Sequence, residues 1–302
     1  MPHDQRNSSL SGNEQMNKAG IAQSIHQRLL NVRDKTGENF NSILVRYGLE
    51  RLLYRIMLSN HSDVFVLKGA MLFALWHEVP GRPTRDIDLL GFGNPSNQQL
   101  KQLFSDACDV VFEDDGLRFD AGSIQTEDIR DDQEYLGTRI HLLAFLGNGR
   151  IPLQIDIGLG DAIIPAPEEI VYPTILDLPA PRIRAYHPAT VIAEKINAMV
   201  VHGIMNSRMK DFYDIYILLN HMNIDNDLLA QAIKATFNRR KVELPQQLPV
   251  GLSLEFLEDS TKEIQWKAFL NRSNLSDSGL KLSEIINYLQ TRLWPVIQKA
   301  KK

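Results

Sequence analysis

The chain has 302 residues, 43% of them hydrophobic, which is enough for two ordinary domains with folded cores. Its net charge of −4 excludes a global basic field for nucleic acid or an anionic membrane, so any nucleic-acid surface must be local. The single cysteine, Cys108, excludes a disulfide framework and a cysteine-based zinc site. The polar N-terminal segment has no apolar signal-peptide core and no run of about 18 apolar residues occurs, so we expect a cytoplasmic protein without a membrane span.

The first part of the chain combines helix and strand patterns after a polar segment. Residues 1–17 are rich in Asn, Ser and Gln and are predicted to form a flexible tail. Helical spacing of apolar residues predicts helices over residues 19–36, 39–58, 70–79 and 96–107. Short β-like runs predict strands over residues 63–69, 85–92, 109–112, 138–146 and 151–159. The acid-rich segment 113–134 is interpreted as a solvated loop or an edge hairpin.

A proline-rich stretch, residues 165–188, is the best linker candidate. Beyond it, apolar periodicity predicts helices over residues 189–202, 208–221, 225–237, 258–272 and 282–299. The layout predicts an α+β fold of the α/β type. A domain with N-terminal helices and a small mixed sheet is expected over residues 18–180, followed by an all-helical domain over residues 181–302.

The stretch RPTRDIDLLGFG, residues 82–93, places two aspartates one residue apart in an otherwise apolar strand. Side chains in a strand alternate, so Asp86 and Asp88 project from one face while Ile87 and Leu89 project from the other. Two carboxylates on one face can share a hard divalent cation such as Mg²⁺. A D-x-D pair is weak evidence by itself, and the alternative is a surface edge with two solvated aspartates.

Two further features accompany this pair. Lys68 and Gly69 lie at a strand-to-helix junction, where backbone N–H groups can receive a phosphate; the alternative is a plain tight turn. Asp156 lies in the apolar strand LQIDIGLGD and would complete a three-carboxylate cluster if its strand neighbours the D-x-D strand; the alternative is one buried, hydrogen-bonded aspartate. Three such carboxylates suit two-metal phosphoryl or nucleotidyl transfer, in which Asp156 would also activate the attacking hydroxyl.

The order of glycine turn, helix, D-I-D strand and later strand aspartate resembles the nucleotidyltransferase superfamily typified by DNA polymerase beta. The resemblance implies a polymerase beta-like nucleotidyltransferase core over residues 18–180 that binds Mg²⁺, with Mn²⁺ as the alternative ion. Ala70 departs from the superfamily pattern, which usually has Ser or Gly there. This departure concerns the phosphate contact of the turn and leaves the metal pair unaffected.

Two predicted helices in the C-terminal half each carry a charged residue at the border of an apolar stripe. In HPATVIAEKINAMVVH, Lys195 lies at the border and Glu194 points away; the alternative for Lys195 is an ordinary surface lysine. In RMKDFYDIYILLNH, Asp211 lies at the border and Asp214 on the far side. Asp211 is therefore the better functional candidate, and Asp214 is either a surface acid or a partner of the site.

The order KG, RPTRDID, QIDIG, A-x-E-K-I-x-A and R-x-K-D-x-Y-D is similar to the AbiEii/AbiGii nucleotidyltransferase toxin family, over residues 60–220. The resemblance implies the toxin of a bacterial toxin–antitoxin or abortive-infection system, with a cognate antitoxin expected to be encoded by the adjacent gene. It also implies Mg-dependent transfer of a nucleoside monophosphate from an NTP to RNA, notably the 3′ end of tRNA. Residues 222–302 carry no motif that aligns with the family.

Site residues are carried over from the resemblance by position. Thr84 and Asp86 match the family's Ser/Thr and first metal aspartate, and Asp88 matches the second. Lys195 matches the nucleotide-contacting lysine and Asp211 the late essential aspartate, whereas Asp156 is placed by the wider superfamily pattern. The predicted metal ligands are Asp86, Asp88 and Asp156; the predicted nucleotide contacts are Lys68, Gly69, Thr84, Lys195 and Asp211; the predicted catalytic residues are Asp86, Asp88, Asp156, Lys195 and Asp211.

The densest basic segment is NRRKVELP, residues 238–245, which is a candidate contact for an RNA backbone. The alternative is that its three basic residues cap the C-terminus of the preceding helix. Two alternatives to transfer onto RNA also remain open. The acceptor is a protein hydroxyl or a small molecule in the first, and in the second the chain is a catalytically inactive module that binds nucleotide or RNA.

Overall fold

The computed structural model describes residues 12–76, 84, 86–93, 95–130 and 136–302. Of the segment predicted as a tail, residues 1–11 lie outside this description, and the first helix begins at Gly12. No helix among the described residues is long and apolar enough to cross a membrane.

Helices and strands alternate in the first part of the chain, and helices dominate the last part. The α-helices are α1 (Gly12–Thr36), α2 (Phe40–Leu58), α3 (Asn97–Asp109), α4 (Pro188–His202), α5 (Met209–His221), α6 (Asn226–Arg239), α7 (Leu254–Glu258), α8 (Ser260–Arg272) and α9 (Leu282–Ala300). The strands are β1 (Phe65–Lys68), β2 (Asp86–Gly91), β3 (Leu117–Arg130), β4 (Leu136–Leu146), β5 (Gly149–Leu159), β6 (Glu168–Val171) and β7 (Arg182–Ala185).

The strands form one mixed sheet in the order β3-β4-β5-β2-β1-β7-β6. β1 pairs antiparallel with β2 and parallel with β7. In the β1–β2 register, Lys68 lies opposite Asp88, so the lysine that ends β1 is a neighbour of the second D-x-D aspartate. The mixed sheet together with the helical part confirms the predicted fold class.

Several elements differ from the sequence-based expectations. The segment after Gly69 is a 3-10 helix, Ala70–Leu75, instead of an α-helix. The predicted strand at residues 109–112 is absent, because α3 continues to Asp109 and a second 3-10 helix follows at Glu113–Asp115. Most of the acid-rich segment is the edge strand β3, as the hairpin alternative predicted. The proline-rich stretch holds β6 and β7, since the prolines flank these strands and do not interrupt their pairing.

The chain packs as two compact units, each assembled from separate segments. Unit 1 comprises the residues up to Ser62, Asn94–Asp156 and Pro173–Arg182. Unit 2 comprises Asp63–Gly93, Ile157–Tyr172 and Ile183–Lys302. The predicted division at residue 180 follows the chain, whereas in this grouping the Lys-Gly turn and the D-x-D strand belong with the C-terminal helices.

Unit 1 contains a buried group of charges on α2. Arg55 donates from Nη1 and Nη2 to the Asp115 carboxylate at 2.5 and 3.1 Å, and Arg51 donates to it from Nε at 3.3 Å. Glu50 accepts the Ile175 N–H at 2.7 Å. Burial raises the pKa of Glu50 to about 7, and the hydrogen bonds and charge of its neighbours offset only part of that rise.

In unit 2, α4 begins at a turn that the sequence specifies locally. His187 accepts the Ala189 N–H on its ring Nδ1 at 3.1 Å, and Pro188 occupies the first turn, where the missing N–H costs nothing. Ile192 and Ile196 are fully buried on α4. This packing fixes the rotation of α4, and therefore the directions in which its charged residues project.

Candidate functional site

The two aspartates of β2 project from the same face of the sheet. Asp86 and Asp88 are half-buried, whereas Ile87 and Leu89 are fully buried on the opposite face. Thr84, which is 7% exposed, donates from Oγ1 to Asp86 Oδ1 at 2.5 Å. The orientation of the Asp86 carboxylate is therefore fixed by a residue that lies just before the strand.

Gly69 lies directly against the second aspartate. Its backbone has φ +73° and ψ −157°, and a Cβ at this position would overlap the carboxylate of Asp88. Glycine is thus required twice, once for the backbone conformation and once for the close approach. The Lys-Gly turn and the D-x-D strand consequently form one continuous surface within unit 2.

Four charged side chains cluster where β1 ends. Lys68 Nζ lies 2.6 Å from Asp161 Oδ2 and 3.4 Å from Glu194 Oε2. Arg240 Nη2 lies 3.1 Å from Asp161 Oδ1 and 3.8 Å from Glu194 Oε2. Burial raises the pKa of Glu194, and the negative charge of Asp161 adds to the rise while Lys68 and Arg240 oppose it. The cluster therefore joins β1, the segment after β5, α4 and the end of α6.

A second cluster lies between α4 and α5. Lys195 Nζ lies 2.7 Å from Asp211 Oδ1 and 2.8 Å from Asp214 Oδ2, and Arg208 Nε lies 2.6 Å from Asp211 Oδ2. Both aspartates are fully buried. Burial alone would raise the pKa of Asp211, but the charges and hydrogen bonds of Lys195 and Arg208 outweigh it and hold that pKa well below its ordinary value.

Asp156 belongs to unit 1 and is bound by an arginine of the neighbouring strand. Arg139 donates from Nε and Nη2 to the two carboxylate oxygens of Asp156 at 2.8 and 2.9 Å, a bidentate geometry. Gln154 Nε2 also donates to Asp156, at 3.2 Å. The structure thus brings Thr84 to Asp86, Gly69 to Asp88 and Lys195 to Asp211, and it gives Asp156 an arginine partner.

Comparison with known families identifies the class of protein to which this site belongs. The family model described as “Nucleotidyl transferase AbiEii toxin, Type IV TA system” matches residues 51–284. The chain belongs to this family. The match includes every residue of the two clusters and of the β2 pair, and it implies a cognate antitoxin.

Two solved structures from Helicobacter pylori are similar to this AbiEii family member. One, “Crystal structure of JHP933 from Helicobacter pylori”, is 16% identical with a TM-score of 0.45, covering 84% of this chain and 91% of that chain. The other, “Crystal structure of putative nucleotidyltransferase from H. pylori”, is 14% identical with a TM-score of 0.45, covering 87% and 98%. The comparison with curated proteins returned no match.

The β2 pair fits a hard divalent cation. Mg²⁺ is usually held by one or two carboxylates together with substrate phosphates, and Asp86 and Asp88 supply two carboxylates on one face. Thr84 orients the first carboxylate, and the absence of a Cβ on Gly69 leaves space for the second. Within the part of the chain that the structure describes, no group of three or more His, Cys, Asp or Glu side chains is arranged to hold a metal ion. The three-carboxylate cluster with Asp156 therefore stays a prediction.

Sequence reasoning missed the cluster at the end of β1. Glu194 was expected to point away from the site, but it contacts Lys68 and Arg240 because α4 uses two faces for charged contacts. Asp161 ends the quoted strand motif as the aspartate after a Gly-x-Gly pair, which is the one signal that could have identified it. In the basic segment proposed for RNA, Arg239 Nε donates to the Gly160 carbonyl and Arg240 joins this cluster, so both serve intramolecular contacts.

Proposed function

We propose that this AbiEii family toxin transfers a nucleoside monophosphate from an NTP to an RNA acceptor, the 3′ end of tRNA, in a Mg²⁺-dependent reaction. The observation that carries the proposal is the presence, in one unit, of two half-buried carboxylates on β2 and an ion network in which Lys195 and the exposed Arg208 bind the buried Asp211. The carboxylates suit a metal-bound triphosphate, and the network supplies two cations for its phosphates. Family membership supports nucleotidyl transfer as the reaction class.

In the proposed reaction, the acceptor hydroxyl oxygen forms a bond to the α-phosphorus of the NTP. The bond from that phosphorus to its bridging oxygen breaks, and pyrophosphate leaves. Mg²⁺, when bound, would neutralise charge on the triphosphate, with Asp86 and Asp88 as its protein ligands. Asp156 is the proposed acceptor of the hydroxyl proton. In this role it would have to release its hydrogen bonds with Arg139.

The cationic residues would bind the triphosphate. Lys195 and Arg208 would contact phosphate oxygens, and Asp211 would hold both cations in place. Because Asp211 has a lowered pKa, it stays ionised across the neutral range and keeps this arrangement. Gly69 would present its backbone to a phosphate, and Lys68 would contact the triphosphate only by sharing its ammonium with Asp161.

The test is nucleotide transfer by the purified protein with each labelled NTP, supplied with total RNA, total protein or neither. We expect label in RNA of tRNA size only when Mg²⁺ is present. Asp86→Ala should reduce transfer by about 100-fold or more because it removes a metal ligand. The matched control is Asp277→Ala, at an exposed aspartate of the 3-10 helix Ser276–Ser278.

The same assay decides the remaining roles. Asp156→Asn should abolish transfer if this carboxylate accepts the hydroxyl proton, and unchanged transfer would remove it from the mechanism. Label in protein would move the acceptor to a protein hydroxyl. Mg²⁺-independent nucleotide binding without transfer to any acceptor would identify an inactive binding module, and full activity of Asp86→Ala would refute the proposal.

A further inference from the structure

Lys262 is a buried lysine on α8, inside the family match but outside the motifs identified in the sequence. Its residue exposure is 3%, and its Nζ donates to the Asn206 carbonyl at 3.2 Å. Asp259 Oδ2 lies 3.7 Å away, and the ammonium lies 5.0 Å from the centre of the Phe256 ring. Burying an ammonium is costly. The contact between Lys262 and the Asn206 carbonyl is therefore expected to have a structural or functional role.

Asn206, whose carbonyl accepts the hydrogen bond from Lys262, lies just before the start of α5. Asn206 is 1% exposed, and its side-chain Oδ1 accepts the Arg208 N–H at 2.9 Å. This is an Asx turn, in which the asparagine side chain bonds the backbone two residues later. Helix α5 has no side-chain cap at Arg208. The turn at Asn206 is therefore the side-chain contact that sets where α5 begins.

Arg208 connects this turn to the proposed nucleotide-binding cations. Its backbone N–H is held by Asn206, and its side-chain Nε holds Asp211 at 2.6 Å. Asp211 in turn holds Lys195 at 2.7 Å. A continuous series of hydrogen bonds thus runs from Lys262 on α8 to Lys195 on α4, entirely within unit 2.

We propose that Lys262 is a positioning residue that fixes the turn at Asn206 and thereby aims Arg208 and Lys195 at the nucleotide. The proposal rests on the proposed function, in which these two cations contact the triphosphate. It gives α8 a role in nucleotide transfer although no residue of α8 is expected to touch the substrate.

The first experiment compares Lys262→Met with Lys267→Met on the same helix. Lys267 is 70% exposed and pairs only with Glu263, at 3.4 Å, among the ion pairs of the described residues. Lys262→Met keeps the apolar stem and removes the ammonium, so it should raise the KM for NTP about tenfold through misplaced cations. Its Tm should fall only modestly, because methionine keeps the packing of the stem while the buried Asn206 carbonyl loses its hydrogen bond. Lys267→Met should match the wild type.

A double-mutant cycle separates positioning from general damage. In an Arg208→Ala background the aimed side chain is already gone, so adding Lys262→Met should change the KM by less than about twofold. Equal effects of Lys262→Met in both backgrounds would overturn the proposal. A loss of activity that is fully explained by a smaller amount of folded protein would also overturn the proposal.

Hydrogen exchange provides a readout that does not depend on transfer. Lys262→Met should increase amide exchange at residues 203–211 and leave the β2 strand, Asp86–Gly91, unchanged. Unchanged exchange at 203–211, or increased exchange with wild-type kinetics, would overturn the positioning role. If the wild type transferred no nucleotide, the proposed function would fail, while the exchange data would still decide whether Lys262 holds the turn.

Discussion

At Gly69 a single side-chain atom would disturb both the chain conformation and the aspartate pair of β2. The φ of +73° with ψ of −157° is a combination that is essentially restricted to glycine. The overlap of a Cβ with Asp88 adds a second, independent reason. Gly93, after β2, also has a positive φ, of +76°, but nothing lies within 4 Å of where its Cβ would be. A Cβ at Gly93 would therefore meet backbone strain without the contact that it would also meet at Gly69.

Gly69→Ala should destabilise the protein by about 2–3 kcal/mol, and Gly93→Ala by about 1 kcal/mol, because only the first adds displacement of a carboxylate to backbone strain. Gly69→Ala should also reduce nucleotide transfer at least about tenfold, since Asp88 must move away from its position. Urea unfolding and the transfer assay measure the two effects. Equal stability losses, or an active Gly69→Ala protein, would contradict this account.

Which residues could be predicted from the sequence depends on how local their contacts are. The face shared by Asp86 and Asp88 follows from strand alternation, and the same short segment contains Thr84. Asp156 meets Arg139 across β4 and β5, and sequence periodicity does not specify which polar residues of two strands face each other. That pairing could not be found before the register was known.

Helix α4 shows at the level of one element why the Lys68 cluster was missed. Adjacent residues on a helix point about 100° apart, so Glu194 and Lys195 cannot share a direction. A wheel therefore assigns one of them to the packed border and the other to solvent. In the folded protein α4 is covered on both sides, and Glu194 meets Lys68 while Lys195 meets Asp211. The wheel could not show what covers the other side of α4.

Helix α2 carries a buried acid whose titration should affect stability. The pKa of Glu50 is raised from 4.5 to about 7 by burial, so its stabilising contribution is fully present below about pH 4.5 and is lost as the pH rises through 7. Glu50→Gln keeps a neutral acceptor and should remove this loss. The variant should be more stable than the wild type by up to about 3 kcal/mol at pH 8 and nearly equal at pH 4.5.

Chemical unfolding between pH 4.5 and pH 8 measures the difference between Glu50→Gln and the wild type. Glu258→Gln, at an exposed position on α7, is the control for loss of an acid as such. A constant difference between Glu50→Gln and the wild type across this range would show that Glu50 does not titrate there.

On the scale of the whole molecule, the order of elements along the chain differs from their grouping in space. Apolar periodicity predicted helices where α4, α5, α6, α8 and α9 occur, since amphipathic helices are specified locally. It could not predict that β1 and β2 belong to the same compact unit as these helices. That grouping depends on long-range pairing, such as the parallel contact of Val66 with Arg184 in β1 and β7. Assigning domains from the order of elements along the chain therefore led to a linear division at residue 180.

This grouping predicts how the chain responds to being divided. A fragment ending at residue 182 keeps β1 and β2 but loses β7, which pairs with β1, and α4, which supplies Glu194 to Lys68. In this fragment, amides of Phe65–Lys68 and Asp86–Gly91 should exchange much faster than in the full chain. Co-expression with residues 183–302 should restore protection, because the missing strand and helix return together. Full protection in the fragment alone would show that the first 182 residues fold independently, as the linear division of the sequence implies.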